Sequence, residues 1–202
     1  MKTPELVRLE ADLRKYLQGK DRLFAPGVEK VIARVNEFTS AILQTDFQQA
    51  VAALGIDFPS DRPFVEVCDA IVERQVGFLR KADQELMAKS LFEAYVYLAG
   101  SERALEPPRK TKIVPSLRRR GTKGFAGSLL SLHLFNIVSM EIQDDVKTKV
   151  PDLKSFEIYM LWIETVCRHV VAAAMAIPDG GLDEKWAAAV CSNVETRLLG
   201  SR

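Results

Sequence analysis

Seven basic residues, Arg109, Lys110, Lys112, Arg118, Arg119, Arg120 and Lys123, fall in a span of fifteen positions that contains no acidic side chain. A cluster of this kind attracts phosphates, acidic protein surfaces or anionic headgroups through summed Coulomb attraction and counterion release. The arginines run into Gly121, Gly124 and Gly127, spaced three apart, and then into Ser128, after which an apolar helical pattern begins. Glycines let backbone amides approach a ligand, and a helix start offers unpaired N–H groups and positive potential. With Ser128 as the cap, these eleven residues form an expected anion-binding site.

The acid-free stretch extends from Pro107 through Met140, 34 residues in all. The rest of the chain holds 21 basic and 27 acidic residues, so a net formal charge of +1 conceals strong segregation. The glycine spacing is not that of a Walker A loop, which needs Gly-x-x-x-x-Gly-Lys followed by Ser or Thr. The Gly-x-x-Gly from Gly121 to Gly124 matches the spacing of a KH backbone clamp, but no three-stranded sheet to carry one can be read here. No aromatic residue interleaves with the basic run before Phe125, which argues against base stacking on single strands.

A second group could form an internal polar pocket: His133, Glu157, Glu164, Arg168 and His169. Glu164 and Arg168 are four apart and predict an intrahelical ion pair, with Glu157 one heptad earlier on the same face. His133 and His169 are the only histidines, and neither has a Cys, His or carboxylate four residues away. They read as structural core residues, and no metal site or catalytic constellation is expected. Glu141, Asp144 and Asp145 lack a matching Glu-x-x-His partner and read as a solvated helix end. Cys68, Cys167 and Cys191 lie singly in apolar helical runs, as buried reduced thiols do. No cofactor is implied.

Helices must position these groups. Thr3, Pro4 and Glu5 make a helix start, with Leu9, Leu13 and Leu17 as its stripe and Gly19 as its stop. A second stripe runs from Val28 to Leu54, with Thr45-Asp46 able to divide it. After a loop capped by Asp61, Phe64 to Gly100 carries one periodic pattern and predicts a single very long helix, with Gly77 or Asp83 as kink points. Residues 101–127 lose the period, and Pro107, Pro108 and Pro115 exclude regular helix from most of it. Lys112-Ile113-Val114 could form a short strand. Helices then follow from Ser128 to about Lys149, from Pro151 to about Ile177, and from an Asp183 cap to Gly200, with Pro178 to Gly181 as a turn. The helices from Ser128 and Pro151 are apolar around most of their circumference, which predicts the buried centre of a bundle. Trp162, Trp186, Phe92, Tyr95 and Tyr97 read as core, the last three alternatively as a dimer seam.

The expected fold is all-α: one domain over residues 1–202, a bundle of about six helices whose halves 1–100 and 128–202 are joined by the basic linker 101–127. Apolar residues at 48% and charged residues at 27% are globular values. The N-terminal segment lacks the apolar run of a signal peptide, and Glu164, Arg168 and His169 would burden a membrane span through residues 156–177. A cytoplasmic protein with no transmembrane segment is expected. A mean hydropathy of −0.02 leaves apolar surface for self-association. The expected function is that of an interaction module whose basic loop binds nucleic acid backbone or an acidic protein. The alternatives are a binder or enzyme of a phosphorylated small molecule using Gly121 to Ser128, and a structural subunit of an oligomer. The small-molecule alternative requires a concavity joining the glycine segment to a histidine or Glu164.

Overall fold

A computed structural model describes residues 4–149, 152–177 and 181–200. Helix α1 spans Pro4–Tyr16, α2 Val28–Gln44, α3 Phe47–Ala53, α4 Phe64–Val76, α5 Lys81–Ala99, α6 Ile113–Lys149, α7 Leu153–Ala174 and α8 Glu184–Leu199. No strand occurs among the described residues, so the all-α expectation holds with eight helices rather than six. The Thr3 cap, Pro151 and Pro178 to Gly180 lie outside the described residues.

The added helices come from local breaks. The stripe from Val28 to Leu54 divides where Asp46 turns extended and accepts the Gln49 amide at 2.8 Å, the geometry of an N-cap. The pattern from Phe64 to Gly100 divides after Val76, because Arg80 is extended (φ −63°, ψ 146°) and restarts the chain as α5, which packs against α4. Buried Leu79 secures that turn. Asp61 does not cap α4, which starts after Pro63 without a side-chain cap. Asp152 and Asp183 do cap their helices, accepting from the amides of Ser155 and Trp186 at 2.9 Å each.

The linker is the largest correction. Only Gly100 to Lys112 is irregular, and two 3-10 turns, Ser101–Arg103 and Pro108–Lys110, fill much of it. Hydrogen bonds from the Phe64 amide to Glu106 O and from the Lys112 amide to Ala99 O pin it to the body. Ile113 then begins α6, the longest helix, where a strand was expected at Lys112 to Val114. Pro115 occupies the first turn, where no intrahelical N–H bond is required, so it does not break the helix. Ile113 and Leu117, 1% and 0% exposed, anchor this turn in the core. Gly121 interrupts the helix at φ 71°, ψ 163°, a conformation open to glycine, and the chain then continues helically. Ser128 therefore lies inside α6 and caps nothing: its hydroxyl donates to Gly124 O at 3.0 Å.

Beyond the kink, α6 buries Leu130, Leu134, Val138 and Ile142 and packs against α5, α7 and α2. Its Ile113–Asp144 portion is the one described helix long and apolar enough to cross a membrane, and 67% of the qualifying window is buried inside the protein. The companion α7 is not central. It buries Ile163, Val166, Cys167, Val170 and Val171 along one stripe, while Ile158, Leu161 and Trp162 on another face are 47%, 60% and 44% exposed. Trp186 is in the core as expected, and Trp162 is not. Tyr95 is buried and donates to Gln75 Oε1 at 2.9 Å, whereas Tyr97 is 60% exposed.

Candidate functional site

Helices α5, α6 and α7 enclose a cleft of about 770 Å³. From α5 come Glu93 and Tyr97, one turn apart; from α6, Arg120 at the kink, then Gly124, Gly127, Ser128 and Ser131; from α7, Glu164 and Arg168, with Met175 just past its end. Its floor is apolar, formed by Ala94, Leu98, Phe125 and Val171 among others. Arg120, half-buried just before the Gly121 kink, lines the cleft beside the exposed Tyr97. Its guanidinium lies over the Tyr97 ring at 4.9 Å and donates to Ser128 Oγ at 3.4 Å. A face-on cation of this kind gains from the ring quadrupole.

The glycines have different roles. A Cβ on Gly127 would lie 2.5 Å from Met175 Sδ, so its absence lets α6 and α7 approach at the back of the cleft. A Cβ on Gly124 would meet nothing closer than Arg120 Cβ at 3.6 Å, so no protein atom requires glycine there. Ser128 and Ser131 donate to the carbonyls of Gly124 and Gly127 at 3.0 and 2.7 Å, leaving their oxygens as acceptors. Glu164 pairs with Arg168, 28% and 69% exposed, which fulfils the ion pair expected from their spacing.

Behind Glu93 runs a buried polar string. Asn136 Nδ2 donates to Ser90 Oγ at 3.0 Å and reaches Glu93 Oε2 at 3.4 Å. Ser90 donates to Leu86 O at 2.9 Å and lies 3.1 Å from His133 Nδ1. With the hydroxyl proton directed to Leu86, the imidazole donates through Nδ1. The ring stacks on Phe24, 6.1 Å between centroids, and burial lowers its pKa to about 4, so His133 is neutral near pH 7. Burial likewise pushes Cys167 and Cys191 up to about 12, Cys68 higher still, and raises the Tyr95 hydroxyl.

Several expected groupings do not form. His133 is sealed in the core, His169 is half-buried outside the cleft, and Glu157 is exposed on α7. Of that pocket only Glu164 and Arg168 line the cleft. The basic set also disperses. Lys110 pairs with Glu106 at 3.0 Å and Lys112 with Glu102, whose carboxyl is held below the usual carboxylate range by that bond. Lys123 is half-buried, while Arg109, Arg118 and Arg119 are exposed and carry no ion pair among the described residues. Glu141 pairs with Lys20 at 2.6 Å, Asp144 is exposed, and the Asp145 side chain lies outside the described residues. Among the described residues no cluster of His, Cys, Asp and Glu could hold a metal ion. Glu93, Tyr97 and Met175 went unread as site residues because their helices meet α6 only in the folded chain.

No family model, curated protein or solved structure matches this chain. Fold and cleft together define an all-α bundle with an amphipathic cleft between α5, α6 and α7.

Proposed function

We propose that this protein binds a small amphipathic molecule in the cleft between α5, α6 and α7. The observation that carries the reading is the seating of Arg120, stacked on Tyr97 and bonded to Ser128, at the mouth of an apolar cleft of about 770 Å³. Sites for small ligands typically occupy roughly 300–1,000 Å³, are mostly apolar, and use a few placed polar groups for orientation. The glycine segment and Glu164 meet in this one concavity, as the small-molecule alternative requires. Neither histidine lines it, which favours binding over general-base catalysis.

Titration with the fluorescent aryl sulfonate 1-anilinonaphthalene-8-sulfonate tests the reading. One saturable site is expected, lost in Ala172→Trp, which fills the cleft from an exposed position on α7. It should persist in Trp162→Glu, which alters the apolar face elsewhere on α7. Unchanged binding in Ala172→Trp refutes the proposal.

A second reading keeps the polyanion, with nucleic acid backbone ahead of an acidic protein. Arg109, Arg118 and Arg119 favour it, being exposed and without ion pairs among the described residues. Three neutralised phosphates give a log–log salt slope near −2.7, at about −0.9 each, against about −6 for all seven cations. Duplex DNA and RNA titrations at two salt concentrations check this. Affinity unchanged in Arg118→Ala/Arg119→Ala rejects it.

A further inference from the structure

Four charged side chains line the cleft, and they are not equivalent. Glu164 and Arg168 neutralise each other on α7. Glu93 and Arg120 remain, on α5 and α6, and neither has an opposite charge within 4.0 Å among the described residues. Arg120 has only an aromatic face and a hydroxyl, and Glu93 only an amide hydrogen at 3.4 Å. Both are half-buried. A partly desolvated charge gains more from an opposite partner than an exposed one does, because less of the attraction is screened.

A singly charged ligand would satisfy one of these groups and leave the other unpaired or repelled. A neutral ligand would bring an opposite charge to neither. A ligand carrying both signs brings one to each. Its apolar part has a place as well, since the open surface at Gly124 gives access to helix backbone that no protein side chain fills.

Building on the small-molecule reading of this cleft, we propose that the ligand is a free zwitterion of amino-acid type with an apolar substituent. Its carboxylate pairs with Arg120. Its ammonium pairs with Glu93, which Asn136 and Ser90 hold from behind. The apolar substituent lies along the α6 backbone at Gly124 toward Met175.

Three probes with one phenyl body separate the charges: L-phenylalanine, phenethylamine and 3-phenylpropionate. Titrated by NMR into the full chain, L-phenylalanine is expected to bind about tenfold more tightly than either singly charged analogue, the scale of one additional charge-assisted contact. Arg120→Gln should erase its advantage over phenethylamine alone, and Glu93→Gln its advantage over 3-phenylpropionate alone. Each variant serves independently should the other fail to fold. Equal binding of all three probes, or tighter binding of one singly charged analogue, overturns the zwitterion while leaving the cleft a ligand site. Absence of a saturable naphthalene sulfonate site in the wild-type chain as well would overturn both.

Discussion

His133 offers a quantitative test of the buried string behind the cleft. The ring is 3% exposed, stacked on Phe24, and bonded only to the neutral Ser90 hydroxyl. Glu93 is the one carboxylate on that string, three hydrogen bonds from the ring by way of Ser90 and Asn136. Nothing adjacent therefore compensates an imidazolium. The pKa falls from 6.5 to about 4, which at 1.36 kcal/mol per pH unit amounts to about 3 kcal/mol. The sign follows from which state takes up the proton first. The unfolded chain protonates near pH 6.5 and the folded chain only near 4, so the contribution is complete above pH 6.5 and lost as pH falls toward 4. Carboxylates also titrate at the lower end, so the informative quantity is the difference between wild type and His133→Gln, whose amide cannot titrate. In urea unfolding, wild type should be the more stable at pH 7.5, and most of the 3 kcal/mol should vanish from that gap by pH 4.5. A gap that stays constant over this range would refute the assignment of a neutral, buried imidazole.

Two further outcomes follow from burial and backbone geometry. Cys68, Cys167 and Cys191 are buried with raised pKa values, so an aromatic disulfide reagent should modify none of them in the folded protein at pH 8 and all three in urea; rapid native reaction of any one contradicts their placement. Gly124→Ala should stabilise the fold by about 0.5–1 kcal/mol, raising Tm by about 2–4 °C per kcal/mol, since the added Cβ meets only ordinary contact. It should also weaken naphthalene sulfonate binding; a variant both stabler and tighter-binding would remove Gly124 from the ligand surface.

Local chemistry made much of the fold legible. Asp46 and Asp183 cap helices because the cap is made within three residues, and the leucine stripes of α1 and α6 report a period of 3.6 directly. The linker misled because the effect of a proline depends on where its helix begins. That start is fixed by Ile113 and Leu117 entering the core, a tertiary event which turns Pro115 from a breaker into a tolerated first-turn residue. The same shift placed Ser128 mid-helix, so it is not the cap its position suggested. Hydropathy alone could not tell which side of α7 lacks a neighbour, so Trp162 read as core and is 44% exposed. Within the cleft, Glu164 and Arg168 were legible from their spacing. The Arg120–Tyr97 contact joins two helices across the kink and has no local signature.

The claim that the α5–α6–α7 cleft is a ligand site is most directly tested at Met175. In protein labelled with carbon-13 at its five methionine methyls, Met175 lines the cleft, Met87 is sealed at 0% exposure, and Met140 is 68% exposed. On titration with L-phenylalanine the Met175 resonance should shift saturably while Met87 and Met140 stay in place. Saturable movement of Met140 with a stationary Met175 would contradict the account and move binding to the exposed apolar surface.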